Sequence, residues 1–512
     1  MATAESATPT NATDVTTQSN VRAVFICLFA MCGSLLFGIE NGTISGFMAM
    51  NAFLKDFGFY HTASQSWNIS TSIQNALTLI LLGGAILGSL LSGPIGTYLG
   101  RRCGLFTSGI VSIVGVLLQI TSVNLGTLLG GRFLTGMGIG FSSNFVTVFN
   151  AEVSPASLRG MMIGLFYTGV SIGTLIGACV DQGTHNISTR LAYRIPLATQ
   201  LIFPTIIAIL VWFFPDTPRW YITRGRQEKA VRALRRLRGK QYPEDQIEAD
   251  IANIAYHVTL ERDSEKSSSY LDLFRGTNRR RTHIACGLAF WQQWSGLTFI
   301  YTFSTYFFSV AGVNNPFTAY MISTGCQLTG CACMFPFSYY WGARKTLLLG
   351  GALQTASMLA FAIAGTVGHG SIVSSKLLVA FTCIFGFSLN FGWGPMVWSV
   401  ATEIPSSSLR SRTQSMSTIT SWSLNLIITA WLPYLINTSS KNYIGAEVGY
   451  IFGGMGIVGW LWTWWFLPNT KGRSLEELDE LFLNVLNVNF SHITATILTY
   501  ATECICQRLD QL

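Results

Sequence analysis

The chain has 512 residues, of which 49% are hydrophobic and only 11% are charged. Soluble domains carry about 25% charged residues, so this composition excludes a soluble globular protein and indicates a chain that buries apolar surface in a lipid bilayer. The net charge of +8 does not indicate nucleic-acid binding, because the basic residues fall in short loops that the positive-inside rule assigns to the cytoplasm.

The first elements in chain order are a polar tail and six apolar runs. Residues 1–20 are rich in Thr, Ser and Ala and lack a signal-peptide pattern, which predicts a disordered cytoplasmic tail. Each apolar run is about as long as a bilayer-spanning helix, and the six runs are 23–47, 73–95, 104–122, 126–149, 160–181 and 196–214. They predict a first helical bundle over residues 21–214.

A charged segment at 215–282 separates these runs from the rest of the chain. Its stretch QEKAVRALRRLRG (227–239) has helical periodicity, as has the stretch from Asp245 to about Glu261, and both predict amphipathic helices at the cytoplasmic surface. Six more apolar runs follow: 283–310, 317–340, 346–366, 377–400, 413–436 and 446–467. They predict a second bundle over 283–467 and a cytoplasmic tail at 468–512.

Three short loops of the chain occur twice, in the same order. GTYLGRR (96–102) is echoed by YYWGARK (339–345), AEVSPASLRG (151–160) by TEIPSSSLRS (402–411), and PDTPRW (215–220) by PNTKGR (468–473). The copies lie about 250 residues apart, which indicates two duplicated halves and not a solenoid. The predicted fold is therefore an all-α membrane protein whose twelve transmembrane helices form two pseudo-symmetric six-helix bundles, with a substrate site between them.

Nine segments of the chain carry a family resemblance: FGIENGTISG (37–46), GRR (100–102), GR (131–132), EVSPASLRG (152–160), PDTPRW (215–220), QQWSG (292–296), GWGPMVW (392–398), the pair Glu403 and Arg410, and PNTKGRSLEELDEL (468–481). In this order, at helix ends, they resemble the sugar porter family of the major facilitator superfamily, and its fungal members most. The resemblance covers about residues 22–480. It implies the major facilitator fold, alternating access, and a monosaccharide or related polyol as substrate.

The predicted substrate site depends mainly on the second bundle. Gln292 and Gln293 interrupt an apolar run, and buried amides in a membrane are usually functional or packed against a partner helix. The resemblance extends this set to Thr298, Gln327, Asn390, Trp398, Trp422, Asn425 and Tyr167. Thr298, Gln327 and Tyr167 replace residues that the family usually has, so which sugar or polyol is carried stays open.

Glu40 and Arg132 form the predicted coupling pair. Glu40 lies inside the first apolar run and Arg132 inside the fourth, and a carboxylate within a membrane indicates a functional site with a partner. Proton-coupled members of the resembled family often have an acid at this position, so we predict proton symport. A static pair in a facilitative uniporter is the alternative.

Charged residues at helix ends predict a cytoplasmic gate that latches the two bundles. They are Arg102, Glu152, Arg159, Arg344, Glu403 and Arg410. The resembled family usually has an Asp in the duplicated loop where this chain has Thr97 and Tyr339. We therefore expect a weaker latch, or one carried by the Glu–Arg pairs alone, and a bias toward the inward-facing state.

The remaining expectations concern surroundings and partners. Asn68, Asn186 and Asn437 begin N-x-S/T sequons on the predicted outer side, where glycosylation is expected. No metal, cofactor or nucleic-acid partner is predicted, and no nucleophile–base pair indicates an enzyme. The expected partners are a sugar or polyol, a proton and the lipid bilayer, for a monomer that spans the plasma membrane many times. An exporter of a specialised metabolite and a nutrient sensor on the same fold are further alternatives.

Overall fold

The computed structural model describes residues 12–61, 66–154, 159–239, 242–267, 269–368, 371–406, 409–438 and 440–469. The predicted tail at 468–512 therefore falls almost wholly outside the described residues. At the other end, helix α1 begins at Ala12 and so extends into the segment for which the sequence predicts a disordered tail. The polar residues there continue the helix beyond its apolar part, which begins at Val24.

The first half of the chain forms six membrane helices, the last of which is broken. In chain order its elements are α1 (Ala12–Phe47), α2 (Asn51–Phe57), β1 (Phe59–His61), β2 (Ser66–Asn68), α3 (Thr71–Tyr98), α4 (Arg101–Thr121), α5 (Leu125–Val153), α6 (Arg159–Thr184), α7 (Leu191–Thr199) and α8 (Ile202–Leu210). Strands β1 and β2 form a small antiparallel hairpin. Helices α7 and α8 together make the sixth membrane helix.

The second half begins with helices outside the membrane and continues with six membrane helices. Its elements are α9 (Pro218–Thr223), α10 (Gln227–Arg238), α11 (Glu244–Ser267), α12 (Gly276–Trp294), α13 (Ser304–Val310), α14 (Pro316–Trp341), α15 (Ala343–Val367), α16 (Ile372–Ser388), α17 (Pro395–Glu403), α18 (Arg410–Ile436) and α19 (Val448–Phe466). The predicted amphipathic helices at 227–239 and from Asp245 are confirmed as α10 and α11.

The predicted fold class is confirmed: the chain is an all-α membrane protein with two six-helix bundles. Among the described residues, eight helical segments are long and apolar enough to cross a bilayer by length and composition alone. The helices α5, α14 and α19 and the pair α12–α13 complete the bundles. The predicted domain boundaries stay predictions.

Close helix crossings inside the first bundle depend on glycine. A Cβ atom at Gly38 of α1 would collide with the carbonyl oxygen of Val170 in α6, and one at Gly84 of α3 would collide with that of Phe133 in α5. Small residues let membrane helices approach this closely, so that backbone contacts replace the missing hydrophobic drive between helices. The crossings hold the helices of this bundle together as a unit.

The two ends of the bundles differ in charge. Arg101, Arg102, Arg344 and helices α9–α11 lie at one end, which we call the cytoplasmic end following the positive-inside rule. Helix α2 and the β1–β2 hairpin lie at the other, which we call the outer end.

Candidate functional site

A cavity of about 760 Å³ lies between the two bundles. Its deep part is lined by Glu40, Asn41 and Arg132 of the first bundle. It continues to the cytoplasmic end, where Glu403 and the exposed Tyr339 line it. The cavity therefore reaches the cytoplasmic end of the molecule.

At the outer end, hydrogen bonds join the two bundles across α3 and α18. The side-chain nitrogen of Asn437 donates to the carbonyl oxygen of Ile69 and to Oε1 of Gln74, both at 3.0 Å. The side-chain nitrogen of Asn75 donates to the carbonyl oxygen of Ala430 at 3.0 Å. These contacts exclude water from the outer end of the cavity along this side.

A second group of cross-bundle bonds closes the outer end above α1 and α13. The backbone N–H of Thr305 donates to Ser45 Oγ at 2.7 Å. Asn68 donates to Thr438 Oγ1 at 3.1 Å and accepts from the Tyr306 hydroxyl at 3.2 Å. We call both groups of cross-bundle bonds together the outer seam. A closed outer seam and a cavity that reaches the cytoplasmic end define an inward-facing conformation.

The predicted sequons fall differently within this conformation. Asn186 is exposed after α6. Asn68 and Asn437 belong to the outer seam, and Asn437 is completely buried, with its amide nitrogen donating two hydrogen bonds. A glycan on Asn437 is incompatible with this closed seam, because the modified nitrogen would have to leave it. Glycosylation of Asn68 and Asn186 stays a prediction.

The amide pair that the sequence singles out lies on the cavity wall. Gln292 Nε2 donates to the carbonyl oxygens of Trp393 at 2.5 Å and Gly394 at 3.2 Å, and the residue lines the cavity. Gln293 Nε2 donates to Ser421 Oγ at 2.9 Å, and its Oε1 accepts from Asn425 Nδ2 at 3.3 Å. A continuous polar strip thus runs along α12 and α18.

The other predicted binding residues divide into two groups. Thr298, Trp398, Trp422, Asn425 and Tyr167 line the cavity together with both glutamines. The buried Thr298 Oγ1 has no hydrogen-bond partner among the described residues, so it is available to a ligand. The structure places Gln327 and Asn390 away from the cavity surface.

Asn390 is connected to the cavity through Tyr301, which sequence reasoning missed. Both lie in π-helical turns, Phe299–Phe303 and Leu389–Trp393, which interrupt the seventh and tenth membrane helices. Asn390 Nδ2 and the Tyr301 hydroxyl oxygen are 3.1 Å apart, and Tyr301 lines the cavity. Such turns are frequent at functional sites, but the sequence carries no clear signal for them.

Gln327 is packed inside the second bundle. Its side chain is fully buried against Gly386 of α16, and neither of its amide atoms has a hydrogen-bond partner among the described residues. Its position in α14 therefore gives it a packing contact instead of a place on the cavity wall.

The predicted coupling pair is formed at the deep end of the cavity. Arg132 Nη2 and Glu40 Oε1 are 2.8 Å apart, and both side chains are almost fully buried. Arg132 Nε donates to the carbonyl oxygen of Leu77 at 2.6 Å, and Gln200 Nε2 donates to Glu40 Oε2 at 2.8 Å. Gln200, which sequence reasoning missed, thus gives the carboxylate a neutral partner in addition to Arg132.

At the cytoplasmic end, the charged side chains contact partners within their own bundles. Glu152 pairs with Arg101 at 2.9 Å. Arg102 lies over the Trp212 ring with its guanidinium carbon 4.3 Å from the ring centre. Arg344 donates to the carbonyl oxygen of Trp464 at 2.8 Å. These contacts fit a latch that is open in the inward-facing state.

Of the other three predicted gate residues, the structure describes the side chain of Glu403 alone. Glu403 is exposed and accepts from Ser399 Oγ at 3.3 Å. The side chains of Arg159 and Arg410 lie outside what the structure describes. The gating role of the six predicted residues stays a prediction.

The carboxylate of Asp216 contacts the N-terminus of α4, and Thr97 lies in the last turn of the preceding helix α3. The carboxylate accepts from the backbone N–H groups of Arg101 at 3.1 Å and Arg102 at 3.4 Å. Gly100 adopts φ +96°, and a Cβ atom there would collide with this carboxylate. Burial raises the pKa of Asp216, and the hydrogen bonds from the backbone N–H groups of Thr217, Arg102 and Arg101 oppose the rise.

Comparison with known proteins supplies the family. A family model described as "Sugar (and other) transporter" matches residues 26–482. The chain is 32% identical over 480 residues to the major facilitator-type transporter ecdD of Aspergillus rugulosus. The aligned region covers 90% of this chain and 88% of the relative. It is 31% identical to the probable glucose transporter rco-3 of Neurospora crassa, over 91% of this chain and 80% of the relative.

The fold of this chain is similar to that of transporters whose structures have been solved. The proton:xylose symporter XylE from E. coli, bound to 6-bromo-6-deoxy-D-glucose, superimposes with a TM-score of 0.72. The match covers 90% of this chain and 100% of XylE at 21% sequence identity, which shows a shared fold.

Proposed function

This chain belongs to the sugar transporter family, and from that premise we propose that it carries a monosaccharide or related polyol across the membrane together with a proton. As a member of this family, it is a membrane transport protein and not an enzyme. The observation that carries the proposal is the buried Glu40–Arg132 pair at the deep end of a cavity with an amide and aromatic wall.

The wall chemistry supports a polyhydroxylated, uncharged substrate. Each sugar hydroxyl loses water on binding, and an unpaired buried polar group costs about 1–3 kcal/mol. Gln292, Gln293 and Thr298 supply donors and acceptors, while Trp398 and Trp422 supply apolar faces for the C–H side of a sugar ring. The 31% identical rco-3, described as a probable glucose transporter, supports the same substrate class.

In the proposed mechanism, transport requires that the outer seam and the cytoplasmic latch close in alternation. In the inward-facing state the outer seam is closed and substrate leaves through the cytoplasmic end. In the outward-facing state the seam opens, and the charged residues of the cytoplasmic end latch the bundles. Exposed ion pairs contribute only modestly, which suits a switch between states of similar free energy.

The proton is carried by Glu40 in this mechanism. When Arg132 pairs with the carboxylate, the charged form is stabilised; when the pair separates, Glu40 takes a proton, because an unpaired carboxylate in the membrane is costly. Gln200 donates a hydrogen bond to the same carboxyl group and adds a neutral partner to the charged one. Moving one charge through 100 mV supplies about 2.3 kcal/mol, which drives accumulation.

Uptake by a transporter-deficient cell tests the proposal. Radiolabelled sugars and polyols are supplied with and without a protonophore, and we expect accumulation that the protonophore abolishes. Glu40→Gln should lose accumulation while keeping exchange of labelled for unlabelled substrate, because exchange needs no net proton movement. Accumulation that survives both changes would leave facilitated diffusion, and a panel without any transported sugar would favour the exporter.

We further propose that the chain acts as a monomer in the plasma membrane. A glycan at the exposed Asn186 would support this location, because glycosylation requires passage through the secretory route.

A further inference from the structure

Asp181 is a buried acid that the proposed mechanism does not use. It lies in α6, one turn before the outer end of that helix, and its exposed fraction is 1%. Neither carboxylate oxygen has a hydrogen-bond partner among the described residues. Glu40, by contrast, has both Arg132 and Gln200 as partners.

The surroundings of Asp181 place it directly beneath the outer seam. It packs against α1 at Gly46, where an added Cβ atom would collide with the carboxylate. The Tyr320 phenol of α14, in the other bundle, is close enough to interact with it electrostatically. Tyr320 in turn donates to the carbonyl oxygens of Asn41 at 3.4 Å and Tyr301 at 3.1 Å, so Asp181 lies where the two bundles meet.

The charged and titratable groups on neighbouring elements have other partners. On α1 and α5, Glu40 and Arg132 pair with each other. Around α7, Arg190 pairs with Asp56 and Arg194 donates to the carbonyl oxygen of Ser122, while His185 stacks on the Phe317 ring at 4.5 Å. Among the described residues, the Tyr320 phenol is the titratable group for which an electrostatic interaction with the Asp181 carboxyl group is seen.

This environment accepts a neutral acid and not an anion. An ionised carboxylate without partners is very costly in an apolar region of a membrane protein. A metal cation would need several oxygen ligands, and within the described ranges no group of three or more His, Cys, Asp or Glu residues is placed to hold one. The ligand that fits one isolated carboxylate is a single proton.

We propose that Asp181 is a second proton-binding site, which must be occupied before the outer seam can close. The inference rests on the proposed alternating access but not on the identity of the substrate. When the seam opens, water reaches the carboxyl group and accepts its proton, leaving the carboxylate. Before closure, a hydronium ion from outside returns a proton to the carboxylate. This proton binds and leaves on the same side, so Asp181 sets the dependence on external pH while Glu40 carries the transported proton.

The test measures opening of the outer seam and needs no substrate. Ile69, whose side chain is fully buried at the seam, is replaced in an Ile69→Cys variant, and a membrane-impermeant maleimide labels this cysteine from outside. Rates are divided by those of an exposed Asn186→Cys reference, which removes the intrinsic effect of pH on thiol reactivity. The normalised rate should rise with external pH, by about tenfold per pH unit where a single proton controls closure.

Adding Asp181→Asn should hold the normalised rate low and make it independent of external pH, because the amide is neutral at every pH. Asp56→Asn is the matched control: Asp56 is also at the outer end but pairs with Arg190, so its removal should leave the response intact. If Asp181→Asn fails to reach the membrane, the smaller Asp181→Ser can be used in the same measurement, because its side chain is also neutral.

Three outcomes would overturn the proposal. One is an unchanged pH response in Asp181→Asn. Another is loss of the response in Glu40→Gln, which would assign it to the coupling pair. The third is labelling that follows external sodium at constant pH, which would assign the site to a metal cation. A failed sugar-uptake panel would count against the proposed substrate and leave these measurements interpretable.

Discussion

Gln293 and Gln327 are both buried amides of the second bundle, yet they face different surroundings. Gln293 lines the cavity and bonds Ser421 and Asn425, whereas Gln327 is packed against Gly386. The sequence could identify amides within apolar runs because polar groups in a membrane are costly. It could not tell which face of a helix meets the cavity, because that depends on how the helices rotate against each other.

This pair gives a matched test of the binding site. Gln293→Ala should raise the substrate KM about tenfold, since loss of a buried hydrogen bond costs about 1–3 kcal/mol. Gln327→Ala should leave KM unchanged, because its side chain has no contact with the cavity. The measurement is concentration-dependent uptake, normalised to protein at the cell surface. Equal KM changes in both variants would contradict the placement of the site.

Asp216 shows how a missing residue is replaced by one from another element. Position 97, in the last turn of α3, lacks the expected acid. The N-terminus of the next helix instead donates hydrogen bonds to the carboxylate of Asp216, which follows the sixth membrane helix. The sequence placed Asp216 in a family-like PDTPRW segment but gave no indication of this contact. A contact over more than 100 residues of chain needs the folded structure to be seen.

The raised pKa of Asp216 predicts a pH dependence of stability. Because the folded protein holds this proton more tightly than the unfolded chain, the contribution of Asp216 is fully present below the usual carboxyl pKa. It is lost as pH rises through the raised pKa. The Tm difference between the wild type and Asp216→Asn, measured in detergent, should therefore shrink as pH increases over this range. A difference that grows with pH would show that the carboxylate is favoured by its backbone donors.

At the scale of elements, the crossing of α1 and α6 should be intolerant of added volume. Gly38→Ala places a methyl group against the carbonyl of Val170, and overpacking of this kind costs about 1–3 kcal/mol. We expect a lower Tm and less folded protein in the membrane. Gly83→Ala, with nothing within 4 Å of the added Cβ, is the control and should leave both unchanged. Similar Tm values for the two variants would contradict the packing argument.

The π-helical turns mark the limit of sequence reasoning at this scale. The length of the apolar runs located the twelve membrane helices, because a segment that crosses the bilayer must satisfy its backbone hydrogen bonds internally. The extra residue of a π turn leaves this pattern almost unchanged, so the link between Tyr301 and Asn390 could not be foreseen. Asn390 was predicted as a binding residue, and the structure connects it to the cavity only through that link.

At the scale of the whole molecule, opening of the outer seam should be required for transport. In the double variant Asn68→Cys/Thr438→Cys, a short bis-methanethiosulfonate should join the bundles through two disulfide bonds, because the native side chains are in hydrogen-bond contact. Uptake should stop and return on reduction. The parent chain and both single variants, treated with the same reagent, control for the native cysteines. Uptake that continues in the cross-linked protein would contradict alternating access.

The conformational state could be anticipated only in part. The duplicated loops revealed two bundles. The absent acids at Thr97 and Tyr339 predicted an inward bias, which stays a prediction because the structure shows one inward-facing conformation and no populations. One sequence encodes both states of a transporter, and they differ by only a few kcal/mol. Sequence therefore establishes the two bundles and the site between them, while the populations of the states need measurement.

The chemistry of the outer seam determines how the closure between the bundles responds to the external salt concentration. The hydrogen bonds that join the bundles there come from amides, hydroxyls and backbone groups, whereas the cytoplasmic end holds the charged side chains of the predicted latch. Dissolved ions weaken attraction between exposed charges but have little effect on buried neutral hydrogen bonds. In the plasma membrane that we propose for this chain, the outer closure between the bundles thus depends on bonds that salt does not screen, and the charged side chains of the predicted latch lie at the cytoplasmic end, where the cell controls the ionic strength.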